Sequence, residues 1–179
     1  MTDRATDFAD LSILPRTLGL IDDAAASAQQ RERREMLVVR SGARLLGVFA
    51  DEAGSVTKWI EPTPLPRAPA AVLGVVSIRG GMLTLLDPLA LLGERKADVP
   101  LTPAFIVALR GDEQLALAVD RVERIIEIFT DEVEPLARSD AASLLRGLVG
   151  RERELIAVLD LKELFSNATR GNERRRQRS

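Results

Sequence analysis

The chain has 179 residues, of which 46% are apolar, and a formal net charge of −2. It can therefore bury one good core or two small ones, but it has no overall charge that would hold nucleic acid or an anionic membrane. It contains no cysteine and no histidine, which excludes disulfides, thiol nucleophiles and the commonest metal ligands. We expect no catalysis, no cofactor and no metal site.

The N-terminal segment, residues 1–35, is predicted to be an extension that is partly disordered or helical. Pro15 and Gly19 interrupt its apolar positions, and a helix is expected at most from Asp22 to Arg34. The segment is either a frayed tail or a peptide that folds on a partner. Neither a signal peptide nor a run of about 18 uncharged apolar residues is indicated, so the expected location is the cytoplasm.

Strand-like sequence begins at Met36. The runs MLVVR and RLLGVFA flank a Ser-Gly pair, which predicts a hairpin, and SVTKWI resumes the pattern after Gly54. The next segment, EPTPLPRAP, carries four prolines, too many for a helix or a central strand. Trp59, the only tryptophan, is expected in the core or at the wall of a groove.

The most apolar stretch, from Ala70 to Gly93, predicts two buried strands joined by a tight turn. Gly80 and Gly81 are expected to supply the positive φ angles of that turn. Arg79 is the anomaly, because burying an unpaired guanidinium would cost several kcal/mol. It must therefore reach a carboxylate, face a partner molecule or lie along the rim. A short helix is predicted from Pro88 to Gly93.

The pattern of the first half returns in the second half. Shifts of 69 and 73 positions superimpose paired glycines and aspartates: Gly42 on Gly111, Asp51 on Asp120, Gly74 on Gly147 and Asp87 on Asp160. These matches predict two similar halves that share a core as two small barrels side by side. Asp87 and Asp160 are expected to cap short helices, contributing about 1 kcal/mol each, and a catalytic carboxylate pair is the alternative.

Three segments, APAAVLGVVSIRGGMLTLLD, QLALAVDRVERIIEI and LLRGLVGRERELIAVLDLKELF, resemble the CheW-like domain family of bacterial chemotaxis. The resemblance covers roughly residues 36–166. Its most specific part runs from a small residue and proline through Gly74 to Arg79-Gly80 and an apolar strand that ends in Asp87. The motif Val-Asp-x-Val at 119–122 supports it.

The resemblance implies a mainly β fold of two five-stranded SH3-like barrel subdomains side by side, with short helices and the loose N-terminal extension. The implied domains are the extension at 1–35, a CheW-like domain at 36–168 with subdomains at about 36–96 and about 103–166, and a basic disordered tail at 169–179.

The resemblance also implies a non-catalytic adaptor that couples the cytoplasmic tip of chemoreceptors to the regulatory domain of a CheA-type histidine kinase, itself a similar double barrel. In the family a receptor helix lies in the groove between the subdomains. The positions that match receptor or partner contacts are Val56, Lys58, Arg79, Gly80, Val122 and Ile125. No nucleic acid and no direct membrane insertion are expected.

One position departs from the family pattern. The family often has a glutamate that can pair with the arginine of the turn, and the best match here is Lys58, which cannot pair with Arg79. Glu61 or a partner carboxylate would then take that role, or Arg79 stays solvated. The charged run at 120–127 predicts an edge strand protected by charge, a strand that faces a partner, or both.

Other function classes fit the composition less well. A nucleic-acid-binding barrel needs aromatic and basic residues on one face, but the chain is 3% aromatic and its basic residues concentrate in the tails. No mechanistic motif surrounds any acidic, basic or hydroxyl side chain, so an enzyme is not indicated. An adaptor in another two-component pathway, such as gliding, twitching or second-messenger control, is the alternative.

Overall fold

A computed structural model describes residues 31–96, 100, 102–111, 114–136 and 144–164. The elements, in chain order, are β1 (Arg33–Ser41), β2 (Arg44–Phe49), β3 (Ala53–Lys58), β4 (Val72–Ile78), β5 (Gly81–Leu86), α1 (Pro88–Leu91), β6 (Phe105–Leu109), β7 (Leu115–Val119), β8 (Arg121–Phe129), a 3-10 turn (Thr130–Glu132), β9 (Leu145–Arg151) and β10 (Glu154–Leu159). Residues 161–164 are again helical.

The strands form two five-stranded sheets. The first sheet has the order β8-β1-β2-β10-β9 and the second has the order β3-β6-β7-β5-β4. Beyond β3 the chain returns to β4, where Thr63 bridges Val75, and beyond β8 it returns to β9, where Glu134 bridges Leu148. In each sheet, the bridge connects the chain that follows one edge strand to the opposite edge strand. The predicted mainly β fold with two five-stranded barrel-like units is confirmed.

Each sheet repeats the other strand for strand. A shift of 73 residues places β4 on β9, β5 on β10 and α1 on the helical residues 161–164. A shift of 69 residues relates β2 to β7 and β3 to β8, and β1 corresponds to β6. Under this correspondence the two strand orders are the same. The repeat predicted from paired glycines and aspartates is therefore confirmed in the fold.

The two halves do not each build a sheet of their own, which corrects the picture of two contiguous barrels. β1 and β2 join three strands of the second half, and β6 and β7 join three strands of the first half. The ranges 36–96 and 103–166 therefore describe the repeat but not the sheets. A repeat shows which segments are alike, whereas pairing between distant strands is a long-range contact that local pattern does not encode.

β1 is buried on both faces because it lies between two cores. Met36 and Val38 face a cluster inside the first sheet, whereas Leu37 and Val39 face a larger cluster built from strands of both sheets. A smaller cluster fills the second sheet. Successive side chains of a strand point to opposite faces, so one apolar run can serve both cores. The predicted shared core is confirmed.

Gly74 and Gly147 allow the chain to close each sheet. A Cβ on Gly74 would lie less than 3.0 Å from the carbonyl oxygen of Thr63, and a Cβ on Gly147 would lie equally close to that of Glu134. Thr63 and Glu134 are the residues that make the two closing bridges. Gly74 and Gly147 occupy equivalent positions of the repeat because the same close backbone contact is made in each sheet.

Asp87 and Asp160 are helix caps, as predicted. The side chain of Asp87 accepts a hydrogen bond from the backbone N of Leu89 at 3.0 Å, and that of Asp160 accepts one from the backbone N of Lys162 at 3.0 Å. Asp87 is also buried, with its Oδ2 3.3 Å from Nε of Arg95. Both aspartates therefore have the same structural role in the two halves.

The turn between β4 and β5 differs from the prediction. Arg79 and Gly80 occupy the turn with φ angles of 51° and 82°, and Gly81 is the first residue of β5. Arg79 itself therefore adopts the left-handed conformation, which costs a non-glycine residue about 1 kcal/mol. The equivalent turn between β9 and β10 has positive φ at both Glu152 and Arg153.

The start of the body also differs from the prediction. β1 begins at Arg33, and Arg33 and Arg34 pair with Phe129 and Ile128 of β8. The end of the predicted helix at 22–34 is therefore strand, because the long β8 offers partners to both residues. The rest of that helix, the N-terminal extension before residue 31 and the basic tail at 169–179 lie outside the described residues.

Candidate partner-binding surface

β3 and β8 lie at the edges of the two sheets and correspond to each other in the repeat. Val56 of β3 and Ile125 of β8 are 69 residues apart, and their side chains are 43% and 61% exposed. Edge strands carry unpaired backbone groups, so exposed aliphatic side chains on them favour contact with another protein. These two predicted site residues are directly available to a partner.

The other β8 residue of the predicted site has a different environment. Val122 is half-buried, packs against the shared core and pairs with Val39 of β1. It therefore supports the position of β8 as well as lining its surface. Lys58 ends β3, pairs with Phe105 and is exposed.

Arg79 and Gly80 form the exposed tip of the β4–β5 hairpin. Within the described ranges, the side chains of Arg79 and Lys58 form no hydrogen bond or ion pair. Glu61 accepts a hydrogen bond from Nε1 of Trp59 at 3.3 Å and so does not serve as the internal partner of Arg79. Arg79 is exposed in this chain, and its contact with a partner carboxylate stays a prediction.

Ion pairs join β8 to its neighbour β1 and to β10. Nε of Arg40 donates to Glu123 at 2.5 Å, and Arg124 donates to Glu154 at 3.0 Å. The first hydrogen bond lowers the pKa of Glu123, and the second raises the pKa of Arg124. We call these four residues the ionic corner. β8 is thus an edge strand flanked by charge, as predicted.

A second pair of exposed apolar side chains was not predicted from the sequence. Met82 and Leu155 lie near the starts of β5 and β10, are 63% and 64% exposed, and are 73 residues apart. Leu86 and Leu159, on the same strand faces, enter the shared core. Side chains four residues apart on a strand lie on the same face, and both β5 and β10 have apolar residues at these positions. This repeated pattern indicates that the apolar face continues beyond the core.

The described residues contain no group of three or more acidic side chains that could hold a metal ion. None of the helices among them has both the length and the apolar character needed to cross a membrane.

Residues 35–169 match the family model of the CheW-like domain. The chain belongs to the CheW-like domain family. The matched range includes both edge strands, the hairpin tip at Arg79 and the ionic corner. The family assignment therefore covers every position of the candidate surface.

Named relatives agree with this assignment. The chemotaxis protein CheW of Rhizobium meliloti (strain 1021) is 30% identical over 140 residues, which cover 76% of this chain and 90% of that protein. Protein FrzA of Myxococcus xanthus is 30% identical over 150 residues, covering 82% of this chain and 94% of that protein. Together they identify this CheW-like chain as a chemotaxis coupling adaptor.

A solved structure supports the fold. The crystal structure of the scaffolding protein TtCheW from Thermoanaerobacter tengcongensis matches with a TM-score of 0.64 at 20% sequence identity, covering 73% of this chain and 86% of that chain. The two sheets of this CheW-like chain therefore have a counterpart in a known scaffold.

Replacing Lys58 by glutamate is expected to leave the fold intact. Lys58 is exposed at the end of β3, after which the chain bridges β4 through Thr63, and Arg79 is exposed just beyond the end of β4. A glutamate there would give Arg79 an exposed partner and stabilise the protein by less than about 1 kcal/mol. Thermal unfolding of Lys58→Glu beside Lys58→Gln measures this gain, and a melting temperature several degrees lower for Lys58→Glu would contradict it.

Proposed function

We propose that this chain is a non-catalytic adaptor that joins the cytoplasmic tip of a chemoreceptor to the regulatory domain of a CheA-type histidine kinase. The observation that carries the proposal is the CheW-like match over residues 35–169, which contains two open edge strands with exposed aliphatic side chains. Both proposed partners act in the cytoplasm, so we place the adaptor there.

The receptor contact is proposed at a groove formed by residues of β3, β8 and the β4–β5 turn. Val56 and Ile125 would supply its apolar contacts, because they are exposed at equivalent positions of the two edge strands. A helix with apolar residues on one face is the partner that such a groove fits. Lys58, Arg79 and Gly80 would line its polar margin.

The kinase contact is proposed at a separate barrel surface, since the kinase's regulatory domain is a similar double barrel. Met82 and Leu155 support this arrangement, because each sheet presents an exposed apolar side chain outside the groove residues. Two separate contacts would allow one chain to hold a receptor and a kinase at the same time.

Co-purification from the source cells tests the proposal. A tagged chain at its native expression level should bring down a chemoreceptor and a histidine kinase, identified by mass spectrometry. A variant with both Val56→Asp and Ile125→Asp should retain the kinase and lose the receptor. Recovery of neither protein with the unaltered chain would contradict the proposed function.

An adaptor in another two-component pathway is the second candidate. One observation favours it: protein FrzA, which is 30% identical over 82% of this chain, does not carry the chemotaxis name that the CheW relatives carry. The same co-purification separates the two candidates, because the identity of the recovered kinase and receptor assigns the pathway.

A further inference from the structure

β3 and β8 each contain a bulge, and the two bulges fall at equivalent positions. The register between β8 and β1 skips Glu123, and the register between β3 and β6 skips Gly54. Glu123 and Gly54 are 69 residues apart, so each is the extra residue of the same bulge in its own sheet. A bulge redirects the side chain it carries and often lies beside a binding site.

The arginine that faces the bulge is repeated as well. In the first sheet Arg40 pairs with Arg121, and in the second sheet Arg110 donates its backbone N–H to the carbonyl oxygen of Glu52 at 2.8 Å. Glu52 precedes Arg121 by 69 residues, so the two contacts are equivalent. A Cβ on Gly54 would lie 3.6 Å from Cγ of Arg110, so the stem of this arginine passes over the bulge glycine.

The two corners differ in their carboxylates. The ionic corner of the first sheet has two of them, on Glu123 and Glu154, and each accepts a hydrogen bond from an arginine. Gly54 and Gly81 occupy the equivalent positions in the second sheet. Arg110 has no side-chain hydrogen bond or ion pair in the part of the chain that the structure describes. The second sheet therefore keeps one arginine of the corner, has Ser55 in place of the other, and lacks both acids.

We propose that the corner formed by Gly54, Gly81 and Arg110 binds a carboxylate side chain of the protein partner. The carboxylate would take the position relative to Arg110 that Glu123 takes relative to Arg40. This inference rests on the proposed function and specifies the chemistry of the partner, which must present a glutamate or an aspartate at this point. A guanidinium can hold a carboxylate through two parallel hydrogen bonds, which fixes orientation as well as affinity.

The charge of the second sheet favours an acidic partner. Lys58, Arg79 and Arg110 all belong to this sheet or its turns, and none of the three has an ion pair within the described ranges. Cations that have no ion pair among the described residues attract an acidic segment and accelerate its association, most strongly at low ionic strength. The small residues at the bulge leave room for the incoming side chain.

Gly54→Glu tests the inference because it builds the missing carboxylate into the chain itself. The φ angle of Gly54 is not left-handed, and its Cβ would lie 3.3 Å from the carbonyl oxygen of Ala108, so a side chain needs only a small adjustment. Calorimetry with the cytoplasmic-tip fragment of the co-purified receptor should show about tenfold weaker binding, with a melting temperature no lower than that of Gly54→Ala. Arg110→Gln should weaken binding similarly, and the two changes together should add little.

Two controls isolate the charge effect. Gly54→Ala introduces the Cβ without the carboxylate and should bind normally. Arg67→Gln removes an exposed arginine outside this corner and should also bind normally. Normal binding by Gly54→Glu and Arg110→Gln, with loss of binding by Ile125→Asp, would overturn the inference and leave the proposed function standing. A large drop in melting temperature for Arg110→Gln would also overturn it, since it would reveal an internal partner.

Discussion

Replacing Gly147 by alanine should destabilise the protein by about 3 kcal/mol or more. The added Cβ would lie less than 3.0 Å from both the carbonyl carbon and oxygen of Glu134. That carbonyl accepts a hydrogen bond from Leu148 at 2.9 Å, and Glu134 returns one to Leu148 at 2.9 Å. Relieving the clash would separate the bridge, break both hydrogen bonds and open the first sheet.

Chemical denaturation of Gly147→Ala beside Gly150→Ala measures this effect. Gly150 lies in the same strand, is exposed and has no heavy atom within 4 Å of its Cβ position, so its substitution should cost less than about 1 kcal/mol. Gly74→Ala should behave like Gly147→Ala, because the same contact closes the second sheet. Equal stability of Gly147→Ala and the unaltered protein would show that this backbone contact does not close the sheet.

Ile125→Asp should weaken receptor binding by about 1–3 kcal/mol, the range expected for residues at the centre of an interface. The side chain is 61% exposed, so the carboxylate is solvated in the free protein and is desolvated only in the complex. The fold should therefore tolerate the change. Calorimetric titration with a receptor-tip fragment measures the affinity, and thermal unfolding verifies the fold.

The matched variants sharpen this test. Val56→Asp, at the equivalent position of β3, should have a similar effect, and kinase binding should survive both changes.

Val122→Asp should instead lower stability, because Val122 packs against the shared core. Arg79→Ala should weaken receptor binding with little change in melting temperature, since its guanidinium is solvated. Unchanged affinity of Ile125→Asp, Val56→Asp and Arg79→Ala would remove the groove assignment.

Much of the fold could be predicted from local patterns. Alternating apolar residues indicated the strands, the repeat indicated two like units with a shared core, and Asp87 and Asp160 were identified as caps from their place before short helices. Each of these features depends on neighbours in sequence or on a periodicity that the chain itself displays. The segment that runs through Arg79-Gly80 to Asp87 resembles the CheW-like family, and this resemblance indicated the family.

The exchange of strands between halves could not be predicted in this way. The sequences of β1 and β2 fit a sheet made with strands of either half. Only contacts across more than a hundred residues decide that β2 pairs with β10. The conformation of Arg79 was misjudged because two glycines follow it, and the pairing of Ile78 with Gly81 sets the turn one residue earlier. The equivalence of Gly54 and Glu123 at the corner depends on two bulges, which are features of strand pairing that the sequence pattern does not display.

The most direct test of the adaptor account is whether a receptor and a kinase bind this chain simultaneously. Purified chain, a receptor-tip fragment and the regulatory domain of the co-purified kinase can be mixed and separated by size-exclusion chromatography with light scattering. The account predicts one complex that contains all three proteins, and loss of only the receptor fragment with Ile125→Asp. Competition between the fragment and the kinase domain for the chain would contradict it.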